Sequence, residues 1–210
     1  MTTYEARLQN DYLLFLKEAS DYYMAHGDVF TTLRNLTRHL DDEKIAYALV
    51  GGLALAAHGF VRMTQAVDVL TTPDGLETFK QRFLGRGYLP AFSGAHKTFR
   101  DTETQVRIEI LVTGDYPGDG KPKPVAFPDP ASVSTERGGM RVIALETLIE
   151  LKLASGMSAP HRLRDLADAQ DLIVTLKLPL EFADRLDASV RETFKQLWRS
   201  AQVDSADGSG

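Results

Sequence analysis

The stretch Ile45 to Leu70, IAYALVGGLALAAHGFVRMTQAVDVL, decides how the rest of the chain is read. It opens with a short apolar run, Ile45 to Val50, that reads as a buried strand. Gly51-Gly52 follows, then an Ala/Leu-rich helical turn ending at His58-Gly59. A second strand, Arg62 to Leu70, closes the unit and carries Asp68 among apolar residues. Two glycines opening a helix leave backbone N–H groups free to face an anion, and the helix dipole adds to the attraction. A carboxylate on the next strand, beside those amides, is one way to hold a nucleoside triphosphate and its Mg²⁺ together. The plainer alternative is an ordinary buried strand with one incidental acid.

Read together, Gly51-Gly52, the Ala-rich turn, His58-Gly59, Arg62, Thr64 and the acidic strand resemble the nucleotidyltransferase (polymerase-beta-like) superfamily. The likeness is greatest to its bacterial branch of minimal nucleotidyltransferases and AbiEii-type abortive-infection toxins. It implies a strand reading Asp-x-Asp or Asp-x-Glu, both carboxylates binding metal. Here the stretch is Thr64-Gln65-Ala66-Val67-Asp68, so the second acid is present and the first is replaced by Ala66. Side chains on a strand alternate faces, so positions 64, 66 and 68 point the same way. Carboxylates two apart would converge on one metal pair and clamp the attacking and leaving oxygens. Ala66 removes one arm of that clamp while keeping the strand.

Composition sets outer bounds. A chain of 210 residues fits one ordinary domain, or one core with an appended helical part. It is 43% hydrophobic and 25% charged, a globular balance. The net charge of −5 announces no nucleic-acid partner, which would need a local basic patch. With no cysteine there are no disulfides, no thiol catalysis and no Cys-based zinc site. No apolar run approaches a membrane span and no leader pattern opens the chain, so the expected location is the cytoplasm.

Periodicity predicts a first helix over Tyr4 to His26, ended by Gly27, and a second N-capped by Asp28 with Val29, Leu33, Leu36 and Leu40 inward. Thr71 to Asp74 is a turn into a helix running to about Gly85. Lys97 to Arg100 and Gln105 to Val112 form a hairpin around Asp101 to Thr104. Its second strand carries Glu109 among Ile108, Ile110 and Leu111, where a charge is costly unless paired or bound to a cation. The competing reading pairs Glu109 with Arg107. Gly114 to Pro130 holds five prolines and three glycines, a long irregular loop. Its Lys121 and Lys123 could touch phosphate, or the loop could simply wrap the core. Glu136 to Gly139 reads as a turn and Met140 to Ile143 as a last short strand.

From Leu145 the chain is helical: a segment with Leu148, Ile149 and Leu151 buried, a helix over His161 to Ile173, and a final one over Glu181 to Ala201. The resemblance implies that Lys152 neutralises triphosphate charge and that Arg164, Asp165 and Asp168 orient it or line the nucleotide pocket. It further implies that Asp68 and Glu109 hold Mg²⁺ (or Mn²⁺), with Glu109 also the base, and that Gly51, Gly52, Arg62 and Thr64 lie against the phosphates. For Arg164, Asp165 and Asp168 the alternative is a solvated face with intrahelical ion pairs.

The expected fold class is α/β (α+β), a nucleotidyltransferase-fold mixed sheet with flanking helices. Residues 1–44 would be N-terminal helices packed on the core, 45–144 the core, 145–201 a helical C-terminal part and 202–210 a tail. The implied activity is Mg²⁺-dependent transfer of NMP from an NTP to a hydroxyl acceptor. RNA, a tRNA end, is favoured, with a cognate antitoxin protein as possible partner and activity weakened by Ala66. The alternatives are a non-catalytic nucleotide- or RNA-binding module of antitoxin-like character, and an aminoglycoside-modifying enzyme, which would want an acidic pocket.

Overall fold

A computed structural model describes residues 3, 4 and 26–207, the last five by backbone alone. The expected first helix therefore lies outside the described residues, apart from Tyr4, which is buried. In chain order come α1 (Gly27–Asp42), β1 (Tyr47–Leu49), α2 (Gly51–Ala57), β2 (Ala66–Thr71) and α3 (Pro73–Phe83). Strands β3 (Tyr88–Pro90), β4 (Thr98–Asp101) and β5 (Arg107–Val112) follow, then a short α4 (Pro130–Val133). Strands β6 (Ser134–Arg137) and β7 (Met140–Ile143) lead into α5 (Leu145–Ser158), α6 (Leu163–Thr175) and α7 (Ala188–Asp207), with single 3₁₀ segments before α6 and α7.

The strands form one mixed sheet in the order β3-β4-β5-β2-β1-β7-β6. Its centre is a six-residue parallel pairing of β2 with β5, flanked by antiparallel β1 and β4. α1 packs on β2 and α3 on β5, while α5, α6 and α7 pack on one another. A single hydrophobic cluster runs from Leu36 through Ile108 and Ile149 to Phe194, so the C-terminal helices share the core of the sheet. Phe79 of α3 is its aromatic centre, with ring centroids 5.2 Å from both Tyr88 and Phe99.

Several boundaries differ from the sequence reading. α1 starts at Gly27, with His26 as its cap and no side-chain bond there, so Asp28 sits in the first turn and Gly27 begins the helix. α3 is capped by Thr72, whose hydroxyl accepts from the Gly75 amide. Strand β2 begins at Ala66, four residues later than expected, because Arg62 is drawn away to a distant helix. Residues 134–137 form an edge strand where only a turn was expected; three of the four are exposed and show no apolar alternation. The expected tail is helical as far as Asp207.

Phe79→Ala removes a fully buried ring that three aromatic neighbours touch. The expected loss is ~3–5 kcal/mol of stability, seen as a lowered urea midpoint with an unchanged slope.

Candidate functional site

The register of β2 and β5 builds the floor of a cleft of about 980 Å³, at the large end for small-molecule sites. Asp68 lies opposite Glu109, and Ala66 opposite Arg107. Burial along β5 alternates: Ile108, Ile110 and Val112 face the core, while Arg107, Glu109 and Leu111 face the cleft. Glu109 is thus not enclosed by the isoleucines beside it in sequence; its side chain is 44% exposed and meets Arg107 Nη2 at 4.0 Å. Glu109 thus faces the cleft and also leans toward Arg107.

Above Asp68 sits the start of α2. Gly51 has φ +60°, and a Cβ there would overlap the Asp68 carboxylate. A Cβ on Gly52 would lie 2.8 Å from Thr64 Cβ. The glycine pair thus lets the backbone close onto Asp68 and Thr64. Thr64 itself is buried, its hydroxyl 3.4 Å from the Ala66 carbonyl, outside the strand it was expected to share. His58, at the end of α2, is held by a 2.8 Å contact of Nε2 with the Ile143 carbonyl. Burial lowers its basicity, so it fastens α2 to β7 as a neutral donor.

The Asp68 carboxyl is pushed up to about 6, first by burial and then by the charge of Glu109, against the pull of Lys152, Arg107 and Arg62. A carboxylate that holds its proton because its neighbour is negative is relieved by a bound cation. Asp68 and Glu109 therefore fit Mg²⁺, which takes one or two carboxylates and completes its shell with phosphate oxygens and water. Among the described residues no group of three or more His, Asp or Glu gathers around a metal position. Ala66 adds only a buried methyl group to this floor.

The opposite wall is an ion network. Arg62 donates to both oxygens of Asp168, at 2.8 and 2.9 Å. Lys152 Nζ lies 2.7 Å from Asp168 and 2.7 Å from Asp165. Asp165 also accepts from Ser155 Oγ at 2.6 Å and pairs with Arg162 at 2.8 Å. Burial acts to raise the Asp165 carboxyl, but Lys152, Ser155 and Arg162 outweigh it and hold it below the usual range. Asp165 and Asp168 are 7% and 2% exposed, so the reading that set them on a solvated face is corrected. Long-range partners, which no local pattern shows, account for their burial.

Arg164 lines the cleft from an exposed position. Lys123 instead binds inside its own loop, to the Pro117 carbonyl and Asp119, and neither it nor Lys121 lines the cleft. Lys97, Arg107, Tyr116, Ser155 and Arg162 line it without having been singled out as site residues. Arg107 was legible, two residues before Glu109 on the same strand face. In all, six Lys or Arg and four Asp or Glu line the cleft, which makes it cationic in an otherwise acidic protein.

No family model matches the chain, and no curated protein matches it in sequence. Solved structures similar in backbone course include a Thermotoga maritima protein assigned as a nucleotidyltransferase. It has 22% identity, a TM-score of 0.46, and covers 66% of this chain and 91% of its own. A second is ANT(2'')-Ia, solved with adenylyl-2''-tobramycin, at 12% identity and TM-score 0.48, covering 81% of this chain and 96% of that one. A third is an antigenic nucleotidyltransferase-like protein from Paracoccidioides brasiliensis. Its identity is 17% and its TM-score 0.47, over 87% of this chain and 88% of that one. Among the described residues no helix is long and apolar enough to cross a membrane.

Two outcomes follow from the charges. The folded chain holds the Asp68 proton up to about pH 6, whereas the unfolded chain releases it near pH 4. Stability from this group therefore falls as pH rises between those values and stays reduced above them. In chelator, Asp68→Asn is expected to raise the melting temperature at pH 7.5, with the gain gone at pH 4. Asp168→Ala strands Arg62 and Lys152 beside a single remaining acid. A loss of ~3–5 kcal/mol is expected from breaking a buried pair on one side, read by urea denaturation at pH 7.

Proposed function

We propose that the cleft binds a nucleoside triphosphate with a divalent cation and supports transfer of its nucleoside monophosphate to a hydroxyl acceptor. The observation that carries this reading is the Asp68–Glu109 pair, side by side on the floor of a cleft whose lining holds more cationic than acidic side chains. A cation bound there would neutralise developing charge on the triphosphate oxygens. Asp68 and Glu109 would hold it, and the less enclosed Glu109 carboxylate would take the proton of the acceptor hydroxyl as its oxygen bonds to the α-phosphorus and pyrophosphate leaves. Arg107 and Arg164, exposed in the cleft, would attract the triphosphate. Lys152 would act from behind, its charge already shared between Asp165 and Asp168.

The net positive lining supports a neutral or anionic acceptor over a cationic aminoglycoside. RNA, with a tRNA end favoured, is the acceptor we propose. A toxin role with a cognate antitoxin rests on the sequence resemblance alone. Ala66 leaves position 66 without a charge, so we propose turnover lowered by orders of magnitude while triphosphate binding survives. The same alanine supports a second reading, a nucleotide-binding module without turnover.

The decisive experiment compares the chain as it stands with Ala66→Asp, each given Mg²⁺, labelled NTPs one at a time, and total RNA. Asp at 66 would stand opposite Arg107, which gives the new carboxylate a ready partner. Label is expected to reach RNA at least a hundredfold faster with the substituted chain, with NTP bound by both. Binding by both without transfer by either would favour the binding module. Failure of both to bind any NTP would remove the proposal.

A further inference from the structure

Apolar side chains line the cleft beside its charged ones, and several of them lie on or next to a fixed loop. Beyond Leu111, on the cleft face of β5, the chain turns and lays Tyr116 and Pro117 along the cleft, with Phe127 beside them. This loop lacks regular structure yet is tied down throughout. The Gly114 amide donates to the Phe127 carbonyl at 2.9 Å, and the Phe127 amide returns to the Asp115 carbonyl at 2.8 Å. The Thr113 hydroxyl reaches the Pro128 carbonyl at 3.0 Å. On the far side, Gly118 packs so closely on α5 that a Cβ would collide with the Ser158 hydroxyl, and Ser158 Oγ accepts the Asp119 amide at 3.1 Å. Across the rim, Lys97 grips Asp115 at 2.5 Å.

Tyr116 is the more open of the two aromatic residues on this platform, half-buried in the cleft, and among the described residues its side chain has no hydrogen-bond, ion-pair or ring partner. An aromatic ring held on a fixed backbone, with an apolar wall and no partner of its own, is suited to a flat ring. Base–aromatic stacking is tolerant of sequence because every base has a π-face, and a preorganised platform loses little freedom on binding. We infer that Tyr116, with Leu111 and Phe127 in the same cleft lining, is the subsite that stacks the nucleobase of the bound nucleotide, while the triphosphate lies toward Asp68 and Arg107. This inference rests on the triphosphate reading above and adds to it the residue that recognises the base.

The test separates the two ends of the ligand. Calorimetric titration with Mg²⁺ compares ATP with inorganic tripolyphosphate on the full chain, Tyr116→Ala and Tyr116→Phe. Expected is a roughly tenfold or greater loss of ATP affinity in Tyr116→Ala, near-native ATP affinity in Tyr116→Phe, and tripolyphosphate bound alike by all three. Retained tripolyphosphate binding also certifies that the alanine variant is folded at the site. If Tyr116→Ala binds ATP as the full chain does, or loses ATP and tripolyphosphate equally, the stacking subsite is overturned while the triphosphate reading stands. If the unsubstituted chain binds neither ligand, the triphosphate reading fails and the subsite falls with it.

Discussion

The parallel pairing of β2 with β5 is the constraint on which the rest of the structure depends. Six residues of each strand lie in register at the centre of the sheet, and a slip by one residue would turn every side chain to the opposite face. In this register Val67 and Val69 meet Ile108 and Ile110 in the core, which fixes the pairing by burial. The same register places Asp68 against Glu109. The core residues thus enforce a like-charge contact on the opposite face, and burial first, with that contact second, pushes the Asp68 carboxyl up to about 6.

The C-terminal helices complete the cleft through charge as well as packing. α5 and α6 contribute Lys152, Asp165 and Asp168, and Arg62 reaches them from the connection between α2 and β2. Five charged side chains, with Arg162, satisfy one another where any one alone would be costly to bury. The network ties a segment far earlier in the sequence to α6. It also explains why β2 starts at Ala66: the residues before it follow Arg62 to Asp168 and leave the sheet. The cleft therefore has one wall fixed by hydrogen-bonded strands and another fixed by ion pairs, with the loop around Tyr116 pinned between them.

Features set by local rules were legible in the sequence. The glycine pair opening α2, the strand carrying Asp68 and the hairpin carrying Glu109 all follow from period and turn chemistry. The long Pro- and Gly-rich loop was recognisable as irregular, and its lone tyrosine was a signal passed over. What escaped depends on partners distant in sequence. Asp165 and Asp168 could be read as partners of Lys152 or as a solvated helix face, and only the distant Lys152 and Arg62 decide for the interior. Residues 134–137 are too exposed to show alternation, so only their pairing with β7 reveals a strand. The helix start at Gly27 lacks a side-chain cap altogether, so cap chemistry pointed two residues too far along.

The row holding Ala66 and Arg107 shows how far one substitution reaches. In the neighbouring row two acids oppose each other, and here a methyl group opposes a guanidinium. Among the described residues Arg107 has only a long contact with Glu109, at 4.0 Å, and nearly half of its side chain is open to solvent. An arginine in that condition keeps most of its capacity to donate to an anion, because the planar fork is not engaged. Its charge also draws the Asp68 proton affinity down, opposing Glu109. The floor of the cleft therefore presents a negative pair and, one row away, an unclaimed positive charge. A carboxylate at position 66 would claim that charge. With alanine there, the Arg107 guanidinium keeps its open face toward the cleft.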